Sequence, residues 1–488
     1  MLRTMGFGYI ANLTLKNTPK IQYLRGDYTR IPPRKIGTIS KHILSAYSGP
    51  YGGLTNIVVE DAGVVHDESE KELIQGQEDE ENTVITTEKG LRQLSIQHSS
   101  SGRNYNDQAR RIDKWNLRKD WAYGISLSLY ENKNDDVDDN KECTGDPVAD
   151  VIAIKTTENS AILGLADGCG WGYGARRAAR CAIKGCMEYI ERNLYQQDSA
   201  SQIHNTTDIF RIMRESIDEG QKLVIGSTAT LTTLVLSVVV PMANSRDFAV
   251  CTVNVGDSLA YVFSEEHGVR ELTIGSRDME SHRNIRFCDG ALGPALGEAP
   301  DLTNMTFSIS VVKRGDIVIL TSDGVSDNFD PVIAGEAEAS PEFDGSGCRL
   351  EPGHDQPKDE DKEDNSHDSG HEKPVFSPAE RQEQTELMMN EVLRTDNMPN
   401  DDLHSAQVVC SKLLQFAIEN TNNKRSAQQS ANAVLESAKQ HKEHDTPKET
   451  VADIRKHLRS LPGKLDHASV VAFVVGHHGI PEESEEEE

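Results

Sequence analysis

Residues 316–330, DIVILTSDGVSDNFD, decide how this 488-residue chain is read. Ile317 to Thr321 is a β-branched, aliphatic run of strand length, and it ends in Asp323 and Gly324, so a carboxylate arrives where the chain must turn. The pattern recurs. SAILGLADG (160–168) ends in Asp167 and Gly168, FAVCTVNVGDS (248–258) carries Asp257 past its apolar run, and KLDHASVVAFVV (464–475) places Asp466 just ahead of one. Carboxylates delivered to one rim of a sheet build a site for hard divalent cations, so metal-assisted chemistry on phosphate is expected. Asp-Gly is by itself an ordinary turn dipeptide. Asp289-Gly290 and Asp344-Gly345 follow no apolar run, whereas Asp167-Gly168 and Asp323-Gly324 do, and that contrast marks the second pair as functional.

Around these motifs VADVIAI, TLTTLVLSVVV, LAYVFS and TFSISVV are further turn-bounded strand runs, with few helices between them, which predicts antiparallel sheets. GARRAARCAIKGCMEYIERNLYQQ and TDIFRIMRESIDEGQKL have helical periodicity and are expected to cover one sheet face. The fold is predicted to begin near Asp146, after an N-terminal extension over 1–140 that is largely irregular, with local order near Trp115 and Trp121. Residues 141–335 form the first part of the core. Residues 336–377 read as an acidic, disordered insertion, since 336–373 hold thirteen acids against four Lys/Arg. Helical periodicity and a last strand, SVVAFVV, occupy 378–477, and 478–488 is an acidic tail. The core is thus expected to be interrupted by an insertion of more than a hundred residues.

With 36% apolar residues and a formal net charge of −28, much of the length is not expected to pack. No basic stripe offers counterion release, which argues against a nucleic-acid partner, and no apolar stretch is long enough to span a bilayer. A monomer is expected. Eight cysteines without a CxxC pair point to a reducing compartment and no zinc knuckle. The first 36 residues carry seven Lys/Arg against one acid, Asp27. A mitochondrial presequence is one reading, but Gly6, Gly8, Pro19 and Pro32 break a long amphipathic helix, so a cytoplasmic or nuclear location is favoured.

The order GDPVAD, ADGCGWG, GSTAT, VGDS, TSDGVSDN and LDHAS resembles the metal-dependent protein phosphatase 2C family, or PPM-type phosphatases, especially its branch with Trp after the first Asp-Gly motif. The resemblance covers residues 143–335 and 449–477. It implies a four-layer α-β-β-α sandwich of two antiparallel sheets flanked by helices. The implied activity is a protein serine/threonine phosphatase, acting on phosphorylated proteins by attack of a metal-bridged hydroxide. Asp167, with the Gly168 carbonyl, matches the bridging ligand of a two-metal centre, while Asp323 and Asp466 match further ligands. Asp257 and Asp327 match acids that with Asp323 bind a third cation, and Asp150 matches an acid that orients a metal-bound water. Carboxylate and carbonyl oxygens suit Mg²⁺ or Mn²⁺ better than zinc.

Three positions depart from the family pattern. Cys169 stands where many members have a His thought to protonate the leaving alcohol, Ala149 where Glu is common, and Gly145 where a phosphate-gripping Arg is usual. A catalytically weak or inactive member acting as a binding module is therefore the alternative. Cys169 as a nucleophile is disfavoured, because Arg176 is out of register for a phosphate-cradling loop. Gly226, Ser227 and Thr228 read as a strand entry near the metals, His467 as a neighbour of the ligand shell, and Trp171 as a core or rim aromatic. His354, His367 and His371 lie in the acidic stretch, where a solvated role is favoured. That stretch is either a tolerated surface loop or a gate that repels phosphorylated substrates or recruits a basic partner.

Overall fold

A computed structural model describes residues 21–40, 44–47, 57–59, 65–67, 121–130, 145, 147–195, 203–227, 229–273, 290–340, 373–394, 405–440 and 448–478. In chain order the strands are β1 (Gln22–Arg25), β2 (Leu44–Tyr47), β3 (Ile57–Val59), β4 (Val65–Asp67), β5 (Ala122–Ser128), β6 (Val151–Thr156), β7 (Ala161–Ala166), β8 (Leu234–Pro241) and β9 (Phe248–Val255). They continue as β10 (Leu259–Ser264), β11 (Gly268–Glu271), β12 (Ala291–Leu296), β13 (Ala299–Asp301), β14 (Thr306–Val312), β15 (Ile317–Thr321), β16 (Glu338–Ala339), β17 (Val375–Phe376) and β18 (His467–Val474). The α-helices are α1 (Tyr173–Leu194), α2 (Thr206–Gly226), α3 (Asp323–Ser326), α4 (Pro378–Arg394), α5 (Ala406–Gln440) and α6 (Lys448–Ser460).

Two antiparallel sheets carry the fold, one of seven strands in the order β1-β14-β9-β8-β7-β6-β2 and one of five in the order β11-β10-β15-β18-β5. They pack face to face, with Ile152, Leu163 and Val250 of the first sheet and Tyr261, Ile319 and Val471 of the second in one buried core. Helices α1 and α2 close the outer face of the larger sheet, burying Ile183, Met187, Phe210 and Met213 against Ile162, Val238 and Cys251. Because each sheet is covered on both sides, β8, β9 and β15 are buried along their whole length and read as continuous apolar runs rather than alternating ones. The four-layer α-β-β-α sandwich is the observed architecture.

Two expectations are corrected. Residues 1–140 are not wholly peripheral: β1 pairs with β14, β2 with β6, and β5 with the last strand β18. The segment Ala122–Ser128 is short, its side chains are buried throughout, and it has no partner near it in sequence, so a local reading had nothing by which to place it. Second, the region after residue 377 is no interruption of the core. Leu393, Val409, Leu413, Leu414 and Ile418 of α4 and α5 are buried in the same cluster as β15 and β18, so these helices supply the fourth layer. The acidic stretch proper is bracketed by the short parallel pairing of β16 with β17, and residues 341–372 lie outside the described part of the chain. So do Trp115, His354, His367 and His371, the acidic tail over 479–488 and the comparison motifs at Asp289 and Asp344. Gly226 and Ser227 end α2 rather than entering a strand, and Thr228 lies outside the described residues. Among the described residues no helix is long and apolar enough to cross a membrane.

The junction of α4 with β11 buries charge. The Glu271 backbone N–H donates to Glu386 Oε1 at 2.9 Å, and burial, reinforced by the Glu271 carboxylate, pushes the Glu386 carboxyl up to about 7. A carboxyl raised in this way holds its proton more tightly folded than unfolded, so stability falls as pH climbs from about 4.5 towards 7. Glu386→Gln keeps an acceptor oxygen for the Glu271 amide and removes the charge. Urea unfolding at pH 5 and pH 8 is expected to show the variant losing less stability across that interval than the parent, by at most about 3 kcal/mol.

Candidate metal centre

Antiparallel pairing explains why the aspartates meet. Asp167 and Asp257 follow the C-terminal ends of β7 and β9, two strands that run the same way on either side of β8. Asp150 precedes β6, which pairs antiparallel with β7 in a register that sets Val151 opposite Ala166, so the start of one strand lies beside the end of the other. In the facing sheet Asp323 follows β15 and Asp466 precedes β18, and the antiparallel register Thr321 to Val470 again puts an end beside a start. All five carboxylates are thereby delivered to one end of the sandwich. Their fields overlap at Asp167, whose carboxyl is raised well above the usual range by burial and then by Asp150, Asp323, Asp466 and Asp257.

Each Asp-Gly step is held by a close backbone approach. A Cβ on Gly324 would run into the carbonyl of His467, and one on Gly168 into the carbonyl of Ala175. Neither glycine has positive φ, so proximity between chain segments is what demands glycine at both. Asp323 opens the single turn of α3, which continues as a 3-10 turn over Asp327–Phe329. Phe329 anchors that turn by stacking on Phe416 of α5, with ring centroids 4.3 Å apart. On the other sheet, Asp167 donates its backbone N–H to Thr233 Oγ1 at 3.1 Å and accepts through its carbonyl from the Thr233 N–H at 2.9 Å and the Thr232 hydroxyl at 2.8 Å.

Asp150 is 3% exposed, and both its carboxylate oxygens are buried without a well-formed hydrogen bond, although the Ser322 and Ser469 hydroxyls lie within electrostatic reach. Burial pushes its carboxyl up to about 6. A desolvated carboxylate whose burial outweighs its neighbouring hydroxyls, beside another raised by its neighbours, is the arrangement a bound cation relieves. The donor set is all oxygen, which fits Mg²⁺ or Mn²⁺. Among the described residues no three Asp, Glu, His or Cys side chains already converge in chelating geometry. Lys464 Nζ sits between Asp323, Asp327 and Asp466, contacting Asp323 Oδ2 and lying 3.1 Å from both Asp327 Oδ2 and Asp466 Oδ2.

Two of the three departures from the family pattern, Ala149 and Gly145, hold His467 through their backbone groups. His467, 1% exposed, accepts at Nδ1 from the Ala149 backbone N–H at 3.3 Å, which leaves Nε2 to donate to the Gly145 carbonyl at 2.7 Å. Gly145 has φ +87, and a Cβ there would press on the Tyr130 ring. Tyr130 thus fills the space beside Gly145, donating its hydroxyl to Asp466 Oδ1 at 3.4 Å while accepting from Trp171 Nε1 at 3.1 Å. Cys169 is partly exposed, with its backbone N–H bonded to the Leu231 carbonyl at 2.9 Å. Trp171 is 59% exposed and stands at the rim, not in the core.

Residues 139–350 match the family model for protein phosphatase 2C. Over 229 residues the chain is 44% identical to the PP2C-like domain-containing protein CG9801 of Drosophila melanogaster. Over these residues the chain is similar to protein phosphatase 2C. The match covers 47% of this chain and 32% of the fly protein, so the chain spans about a third of that relative's length. Among solved structures, the photosystem II phosphatase PBCP is similar at 11% identity and a TM-score of 0.34, over 67% of this chain and 92% of that one. The catalytic domain of the serine threonine protein phosphatase PstP, solved with two manganese ions, is similar at 13% identity and a TM-score of 0.31, over 73% of this chain and 99% of that one.

The sequence motifs pointed to Asp150, Asp167, Gly168, Asp257, Asp323, Asp327 and Asp466, and all lie at this end of the sandwich. They did not point to Tyr130, Thr232, Thr233, Asn328 or Lys464. Gly324→Ala is expected to destabilise the fold by about 2 kcal/mol or more, since the collision is with backbone and not with a mobile side chain. Chemical denaturation compared with Gly170→Ala, whose Cβ would meet nothing within 4 Å but whose φ of +90 carries backbone strain, separates steric collision from strain.

Proposed function

We propose that this chain is a metal-dependent phosphatase that hydrolyses phosphoserine and phosphothreonine in proteins. The observation that carries this reading is the convergence of Asp150, Asp257, Asp323 and Asp466 on Asp167 at one end of the sandwich. Asp167, the Gly168 carbonyl, Asp323 and Asp466 would hold two divalent cations, and Asp257 and Asp327 a third. Bound there, Mg²⁺ or Mn²⁺ would offset charge on the transferring phosphoryl group and acidify the attacking water. Asp150, buried beside Asp167 with its carboxyl pushed up to about 6 by burial, would orient that water and take its proton.

Cys169 in place of a protonating His and Gly145 in place of a phosphate-gripping Arg shift the burden to the cations. Aryl phosphates, whose leaving groups need no proton, should therefore outpace alkyl phosphates. Trp171 offers an exposed ring at the rim against which the side chain next to a phosphorylated residue can lie.

The test is turnover of p-nitrophenyl phosphate and of a phosphothreonine peptide with Mn²⁺, beside Asp167→Asn. Turnover that depends on Mn²⁺ and falls by about 10³-fold or more in the variant is the expected outcome. Metal binding without turnover of either substrate would overturn the hydrolase reading in favour of a binding module. Cys169→His is expected to raise the phosphothreonine rate relative to the aryl rate, a fully restored general acid being worth about 10²–10⁴-fold. An unchanged ratio of the two rates would remove Cys169 from the explanation.

A further inference from the structure

The ammonium of Lys464 lies inside the aspartate cluster, and its placement is built from both sides of the chain. Asn328 clips its backbone twice, accepting from the Lys464 N–H at 2.9 Å and donating to the Lys464 carbonyl at 3.0 Å, while the same amide donates to the Gly324 carbonyl at 2.8 Å. One residue earlier, Gly463 donates its N–H to the Ile333 carbonyl at 2.7 Å and accepts at its own carbonyl from Lys424 Nζ of α5 at 2.5 Å. Asn420 of α5 also donates to the Asn328 carbonyl at 3.1 Å. The segment that carries Lys464 is therefore fastened to the turn bearing Asp323 and Asp327 and to the helix behind it. The side chain is 14% exposed, against 10%, 1% and 26% for Asp323, Asp327 and Asp466.

An ammonium has three donors and no acceptor, and here three carboxylates from two chain segments surround it. Two of its ion-pair distances are 3.1 Å. A divalent cation needs oxygens at about 2.0–2.6 Å, so Lys464 and a metal ion cannot share Asp323 and Asp466 in this arrangement. The buried position also strengthens the pairing relative to an exposed one.

We propose that Lys464 is a resident cation that competes with a divalent metal for Asp323 and Asp466, so that loading this position requires the lysine to withdraw. The inference rests on the metal centre of the preceding reading. It gives the protein an internal means of holding its carboxylates together without metal. It also makes metal affinity at one position depend on the Pro462–Lys464 segment and on the α5 helix that grips it.

Mn²⁺ titration by isothermal calorimetry, with thermal unfolding in the presence and absence of Mn²⁺, tests the idea on the full chain and its Lys464→Met and Lys464→Arg variants. Lys464→Met is expected to bind Mn²⁺ at the competed position at least 10-fold more tightly than the parent. Its metal-free unfolding temperature should fall and its Mn²⁺-induced rise should grow, because Asp323, Asp327 and Asp466 have lost the countercharge that Lys464 places among them. Lys464→Arg, which keeps the charge, should stay close to the parent. A Met variant that folds only with Mn²⁺ supports the proposal, and one that Mn²⁺ fails to stabilise overturns it. Equal Mn²⁺ affinities in parent and Met variant overturn it too, while leaving the metal centre intact. Failure of both to bind Mn²⁺ removes the metal centre itself.

Discussion

Five carboxylates brought to one end of a sandwich repel one another, and the molecule is organised around bearing that repulsion. Burial and the neighbouring acids raise Asp167 well above the ordinary carboxylate range, and burial raises Asp150 to about 6. Such a cluster is eased by protonation or by positive charge inside it. Lys464 supplies one charge from the chain, and divalent cations are the chemistry to which the oxygen donors are suited.

The geometry that gathers the charge is a consequence of strand direction. In antiparallel sheets the end of one strand lies beside the start of the next, so residues distant in sequence, such as Asp150 and Asp167 or Asp323 and Asp466, become neighbours at one rim. Loops at such a rim are free to vary, and this chain has used that freedom. Gly145 and Ala149 stand where the phosphatase 2C pattern that the sequence resembles has Arg and Glu, and here their backbone groups seat His467. Tyr130, beyond β5, closes over that space and links Trp171 to Asp466.

The helices that close the smaller sheet tie stability to the site. Phe416 of α5 stacks on Phe329, Asn420 reaches Asn328, and Lys424 reaches Gly463, so one helix touches the turn after Asp323 and the segment before Asp466. Anything that shifts α5 shifts both halves of the cluster. This coupling is carried by one stacked ring pair and two side-chain to backbone hydrogen bonds, one of them from the Lys424 ammonium.

Sequence by itself determined the strand runs, the two helices over the larger sheet and the aspartates of the centre, because each is a local pattern: an apolar run of strand length, a helical period, a carboxylate at a turn. It did not reveal β5, whose partner β18 lies more than three hundred residues away, nor that α4 and α5 belong to the core, since an amphipathic helix does not say which sheet it will cover. It was equally silent on Lys464, a single lysine in a loop with no periodicity to mark it. Only the tertiary structure decided that its ammonium meets Asp323, Asp327 and Asp466, because that meeting depends on how Asn328, Ile333 and α5 fasten Gly463 and Lys464 in space.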